Sequence, residues 1–219
     1  MNPLRRYFSP LVRALGAGAI LATAGCADLF VVKQKIMIDA ISAPDAPKPA
    51  GQSYRLVARK TVVSAQQAQV PVIKACVDAA LIRWGMYEAP PNVPSDIFIE
   101  LNYGMDTTSR VDASLRESFL QLSARANTAH TVDLAKEEEL WDVRVAVRGL
   151  AGRLESAMPM LSTVAAKYIA TDTRVETTLE IADNSPEVKA TRETAMKALG
   201  RLPPPAATAT SSAAPATVK

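Results

Sequence analysis

The chain has 219 residues, with 25 Lys+Arg, 22 Asp+Glu, one His and two Cys. Its only charges before residue 26 are Arg5, Arg6 and Arg13, so the remainder carries 25 − 3 = 22 basic against 22 acidic residues and is formally neutral. That balance, with no Lys/Arg cluster interleaved with aromatics, argues against nucleic-acid binding, and a single histidine with two cysteines argues against a zinc site and implies no cofactor.

From Ala14 to Gly25 the chain is uncharged and rich in Ala, Gly, Leu and Ile. This run is shorter than the roughly 20 apolar residues that a membrane-spanning helix needs. Gly16, Gly18 and Gly25 also weaken it as an ordinary amphipathic helix. A basic start followed by a short apolar run reads as an export signal over residues 1–25. It ends in Ala24-Gly25-Cys26, which resembles the bacterial lipobox, although Thr23 stands where a branched aliphatic residue is usual. The resemblance implies cleavage between Gly25 and Cys26 and a diacylglycerol thioether on Cys26. The protein would then sit on the membrane through an N-terminal lipid anchor. Ala27, rather than an acid, after the cysteine favours the outer membrane, facing the periplasm. The alternative is a plain signal that secretes the chain to the periplasm. Arg5-Arg6-Tyr7-Phe8 also resembles a twin-arginine start, which leaves the export route open between that system and the general one.

After a tether over 26–31, Val32 to Ile41 alternates, with Ile36, Ile38 and Ala40 on one face, and reads as a strand. Pro44, Pro47, Pro49 and Gly51 mark a loop, and Tyr54 to Val57 a short strand. From Ser64 to Trp84 the period changes: Val70, Ile73, Val77, Ala80, Leu81 and Trp84 form a helical stripe, which Gly85 ends. Cys76 lies beside that stripe as a small buried side chain. Met86 to Ala89 can form a short strand. Ile97, Ile99, Leu101 and Tyr103 alternate with polar residues in a further strand, and 106–116 reads as a loop. Phe119 to Ser123 and Trp141 to Val147 are expected to pair as a hairpin. Gly149 and Gly152 end the second of these. Ser156 can cap a helix with Pro159 in its first turn and Met160, Leu161, Val164, Ala165, Tyr168 and Ile169 along one stripe. Met158 and Met160 read as core filler rather than a lipid-facing patch. Thr173 to Ile181 alternates as a half-buried strand. Ser185 as N-cap and Pro186 at N1 open a last helix that Gly200 closes. The Pro/Ala/Thr-rich tail 203–219 has the composition of a disordered segment. The organisation expected is therefore one α+β domain over 32–202. Its mixed or antiparallel sheet has five to six strands, with two to three helices packed mainly on one face.

Chemistry is sparse. His130 lies alone in the polar 124–139 segment with the Lys136-Glu137-Glu138-Glu139 run, and a Ser/His/Asp triad would have to use it. No nucleophile elbow, phosphate loop or dinucleotide fingerprint is present. The acid pairs Asp96/Glu100 and Glu176/Glu180 fall on solvent faces of expected strands. The expectation is a protein that is not an enzyme. The wet face of the 141–148 strand, through Arg144 and Arg148, and the region at Tyr103 are the candidate partner surfaces.

The stretch from Tyr54 to Thr171 resembles a known family. An extended Tyr segment leads to a helix ending at Gly85, then Ser95-Asp96-Ile97-Phe98-Ile99-Glu100-Leu101, a hairpin holding Leu140-Trp141-Asp142-Val143, and another helix. This looks like the bacterial periplasmic lipoproteins of the domain of unknown function 4136 type, which bring no established activity. With the export signal and the sparse chemistry, the expectation is an envelope lipoprotein with a non-catalytic binding or structural role and an envelope protein as possible partner. The alternative is an accessory lipoprotein of an envelope transport or lipid-trafficking assembly. An apolar cavity between the 64–84 helix and the sheet would favour that alternative, and a filled core would count against it.

Overall fold

The computed structural model describes residues 32–58, 70–107, 116–128, 137–149 and 154–200. The segment read as signal and tether (with Gly25 and Cys26), the first turns expected of the helix from Ser64, residues 108–115, His130, Gly152 and the 203–219 tail lie outside these.

Seven strands form one sheet in the order β3-β2-β4-β5-β6-β1-β7. They are β1 (Lys33–Ser42), β2 (Ser53–Ala58), β3 (Tyr87–Glu88), β4 (Ile97–Thr107), β5 (Arg116–Ala126), β6 (Glu139–Arg148) and β7 (Thr177–Ala182). Among the described residues three helices join them: α1 (Val70–Arg83), α2 (Leu154–Lys167) and α3 (Pro186–Ala198). β2 runs parallel to β3 and β4, and every other pairing is antiparallel. Parallel neighbours cannot be joined by a tight turn, and α1 lies in the crossover between β2 and its parallel partners. The fold is thus α+β with a mixed sheet. It has one strand more than the upper expectation of six, the smallest being the two-residue β3.

The period-two pattern decides which face is core. Ile36, Ile38 and Ala40 stand opposite Val147, Val145 and Val143 across the β1–β6 ladder, and all six are buried. Ile97, Ile99, Leu101 and Tyr103 continue the same face through Leu120, Leu122 and Ala124. Ile73, Val77 and Leu81 of α1 and Leu154, Met158, Leu161 and Ala165 of α2 are buried in one cluster with them. Each such side chain contributes on the order of 1.5–3 kcal/mol, so this face dominates the stability. α3 packs on α1 and α2 through Val188, Thr191 and Ala195.

Several boundaries depart from expectation. Trp84 falls past the end of α1 and is 43% exposed. There Gly85 takes a φ of 83° and the Met86 amide returns to the Leu81 carbonyl, which turns the chain before Trp84 can reach the core. β4 and β5 take in the two ends of the expected 106–116 loop, as far as the Thr107/Arg116 pair, because a backbone ladder does not require apolar side chains. α2 starts at Leu154 rather than after Ser156, which places Pro159 inside the helix. The Thr163 hydroxyl donates to the Pro159 carbonyl at 2.6 Å. β7 begins at Thr177, not Thr173. Arg174 has a φ of 58°, its amide donates to Asp172, and Val175 is 71% exposed, so the extended run is interrupted. The N-cap at Ser185 with Pro186 at N1 is as the sequence suggests: the Ser185 hydroxyl accepts from the Val188 amide. Met158 and Met160 are both buried.

Candidate interaction surfaces

The sheet face opposite the helices presents Phe98, Glu100 and Asn102 of β4, Glu117, Phe119, Gln121 and Ser123 of β5, and Asp142, Arg144 and Arg148 of β6, by the register of the ladders. These side chains bind one another across strands. Asn102 donates to Gln121 at 3.2 Å, and Gln121 in turn donates to both oxygens of Asp142 at 3.1 and 2.9 Å. The Ser123 hydroxyl also donates to Asp142. Beyond this ladder, Arg148 Nε lies 3.1 Å and Arg144 3.6 Å from the two oxygens of Glu117, whose side chain is only 10% exposed. The Arg144 guanidinium sits 4.2 Å over the Phe119 ring, a cation–π distance. Phe119 itself covers Gly104 on the neighbouring strand, where an added Cβ would come within 2.8 Å of the ring. A cleft of about 180 Å³ opens beside Arg144 and Arg148, bordered by Asp39 and Glu176.

The candidate surface is therefore only partly as expected. Arg144 and Arg148 are brought together by one carboxylate. Tyr103 is 3% exposed and belongs to the opposite, helix-covered face, so it is not a surface residue. Its parity explains this: it shares a face with Ile97, Ile99 and Leu101, and pairs with Leu120.

A second polar group was not apparent in the sequence. The Tyr54 hydroxyl donates to Asp78 Oδ1 at 2.9 Å, while Lys74 Nζ donates to Asp78 Oδ2 at 2.7 Å and to Glu88 at 2.8 Å. This chain ties α1 to β2 and β3. Burial, then the Asp78 charge and hydrogen bond and the Glu88 charge, holds the Tyr54 hydroxyl far above its ordinary value. Burial also raises Asp78, and its bonds to Lys74 and Tyr54 only partly offset that. For Lys74 burial works downward, but the bonds and charges of Asp78 and Glu88 outweigh it and the ammonium is stabilised. The Lys74/Asp78 spacing of four on a helix was the one sequence signal available.

The space between α1 and the sheet is filled by Ile73, Val77 and Leu81, each fully buried. The cavity that would have favoured a lipid-trafficking role is not at that place. A separate pocket of about 400 Å³ lies among the three helices, lined by Val72, Cys76, Pro159 and Met196, with Arg192 bonded to Asp183 at 2.7 Å. Burial pushes the Cys76 thiol up to about 12, against a smaller opposing effect of Arg192. Among the described residues no group of three or more His, Cys, Asp or Glu side chains is placed to hold a metal ion. No described helix is long and apolar enough to cross a membrane.

No model of a known protein family matches the sequence, and no curated protein matches it. Among solved structures, a PDZ domain protein from Parabacteroides distasonis is similar at 10% identity and a TM-score of 0.48 over 78% of this chain. The chain spans 43% of that protein's length. The PelC dodecamer from Paraburkholderia phytofirmans is similar at 8% identity and a TM-score of 0.35, over 63% of this chain and 99% of the PelC chain. A substituted form of PelC from the same organism gives 11% identity and a TM-score of 0.37 over 62% of this chain.

Proposed function

We propose that this chain is a lipid-anchored lipoprotein of the bacterial envelope, of the domain of unknown function 4136 type, whose domain faces the periplasm from the outer membrane in a non-catalytic binding or structural role. The observation that carries this reading is the Ala24-Gly25-Cys26 motif after a basic, then apolar, start, with the cysteine only a few residues before the sheet in sequence. β1, which is paired on both sides by β6 and β7, begins at Lys33, only 33 − 26 = 7 residues after the cysteine. Seven residues reach at most about 25 Å even when fully extended. A lipid on Cys26 would therefore hold the domain against the membrane surface by an interior strand rather than by a dispensable edge.

The open sheet face supports a binding or structural role over a chemical one. Its acids and bases are consumed in bonds to each other, which stitch β4, β5 and β6 together. Membrane fractionation of the producing cell tests the reading. The native chain is expected with the outer membrane, and Cys26→Ala is expected in the soluble fraction with its far-UV spectrum unchanged. Membrane association that survives Cys26→Ala would overturn the anchor. Crosslinking in the intact envelope tests the binding role: a specific partner is expected, and recovery of only bulk lipoproteins would remove it.

A further inference from the structure

The sheet has two edges. At one, β3 is two residues long, and Glu88 there is engaged by Lys74. At the other, β7 offers six consecutive residues with no proline, and among the described residues nothing pairs with its outer side. A free edge of that length presents a row of backbone donors and acceptors that another extended chain can join.

The side chains beside this edge are also unfinished. Leu179 and Ile181 point toward the helices but are only half-buried, unlike their counterparts on β1 and β6. Over them lies a pocket of about 310 Å³, floored by Val164 and walled by Trp84. Arg83 and Lys167, in the last turns of α1 and α2, stand at its rim. Both are exposed, and among the described residues neither is ion-paired; Glu187 of α3 also borders the pocket.

We propose that the β7 edge is a strand-addition site, which takes an extended segment of a partner protein with an apolar side chain seated over Leu179 and Ile181 and a carboxylate beside Arg83 and Lys167. The backbone of the added strand would continue the ladder beyond β7. Period two then places alternate side chains of that strand on the helix side, where the pocket is. The charges favour such a segment over a second copy of this chain. Self-pairing of β7 would bring two Arg83/Lys167 pairs to one seam, whereas an acidic strand neutralises one pair. This inference rests on the binding role proposed above but not on the lipid anchor, and it stands or falls independently of Cys26.

The test uses the mature full chain in detergent. The probe is a synthetic pool of capped hexapeptides alternating Val, Ile, Leu or Phe with Thr, and carrying Glu at both ends. Trp84 is a built-in reporter, since Trp141 is fully buried. Saturable change in Trp fluorescence is expected, with slowed hydrogen exchange confined to the amides of 177–182 that point away from β1. Backbone N-methylation of the peptide, or replacement of its Glu by Lys, should weaken binding by roughly tenfold or more. Arg83→Glu with Lys167→Glu should do the same to the original pool and should restore affinity for the Lys peptides. Equal binding of the N-methylated pool would reduce the site to an apolar patch and overturn the proposal. So would outward-pointing β7 amides left unprotected at millimolar peptide. So would outward-pointing β7 amides already protected in the free protein together with a dimer in sedimentation, which would assign the edge to a second copy.

Discussion

Tyr54 and Cys76 show how much of this protein's chemistry is set by burial of single groups. The folded state holds the Tyr54 proton to higher pH than the unfolded chain, whose tyrosines release theirs near 10.0. Lys74 is shifted the same way from 10.5. Above pH 10 the unfolded state therefore binds fewer protons than the native one, and stability falls as pH rises. At pH 7 both contributions are fully present. Tyr54→Phe is expected to cost about 1.5–3 kcal/mol at pH 7, as the loss of one hydrogen bond to a charged group. It should also flatten the alkaline fall; urea titrations at neutral pH and above pH 10 read both effects. Asp78 is raised as well, chiefly by burial, so its stabilising share is present below the ordinary carboxylate value and is lost as pH rises through the folded one. The Cys76 thiol, pushed up to about 12 and buried, is expected to resist Ellman's reagent at pH 8 in the native protein and to react fully in concentrated guanidinium. Rapid native labelling would show instead that reagent reaches the thiol through the pocket that Cys76 lines. The burial of Cys76 was readable from its place beside an apolar helical stripe. The Tyr54–Asp78 bond was not, because periodicity says which face a residue takes but not which residue 24 positions away meets it there.

At the level of elements, the open sheet face depends on one close approach. Gly104 leaves room for the Phe119 ring, which in turn supports the Arg144 guanidinium and, through it, the Glu117 cluster. Gly104→Ala is expected to destabilise by about 1–3 kcal/mol, the usual cost of overpacking. Combining it with Phe119→Leu should recover part of that loss, a coupling that a double-mutant cycle in urea would measure. Full additivity of the two changes would show that the ring and the glycine do not constrain each other. The strands were legible because alternation survives wherever one face is buried: Trp141, Val143, Val145 and Val147 are all buried, as their spacing indicates. The same rule contradicts the surface role given to Tyr103, whose parity puts it with Leu101 rather than with Asn102. Element ends were less legible. The β4–β5 ladder continues on polar residues through backbone pairing alone, and β7 starts late because Arg174 takes a left-handed conformation that no hydrophobic pattern encodes.

For the whole molecule, the arrangement is a mixed sheet with helices on one face, an interlocked polar face on the other and, among the described residues, a six-residue edge strand whose outer side is unpaired. Its strand order could not be read from the sequence. β1 lies between β6 and β7 although it ends at Ser42 and they begin only at Glu139 and Thr177, and such long-range pairings leave no local trace. The consequence is mechanical: whatever holds the N-terminus holds the middle of this half of the sheet. The proposed lipid on Cys26 would make that hold permanent, and it carries the account of where the protein works. Incorporation of radiolabelled palmitate into the chain in its native cell tests this most directly. The account predicts a labelled, processed protein, with label and processing both lost in Cys26→Ala. A processed chain that carries no label, or one that keeps its label after Cys26→Ala, would contradict it.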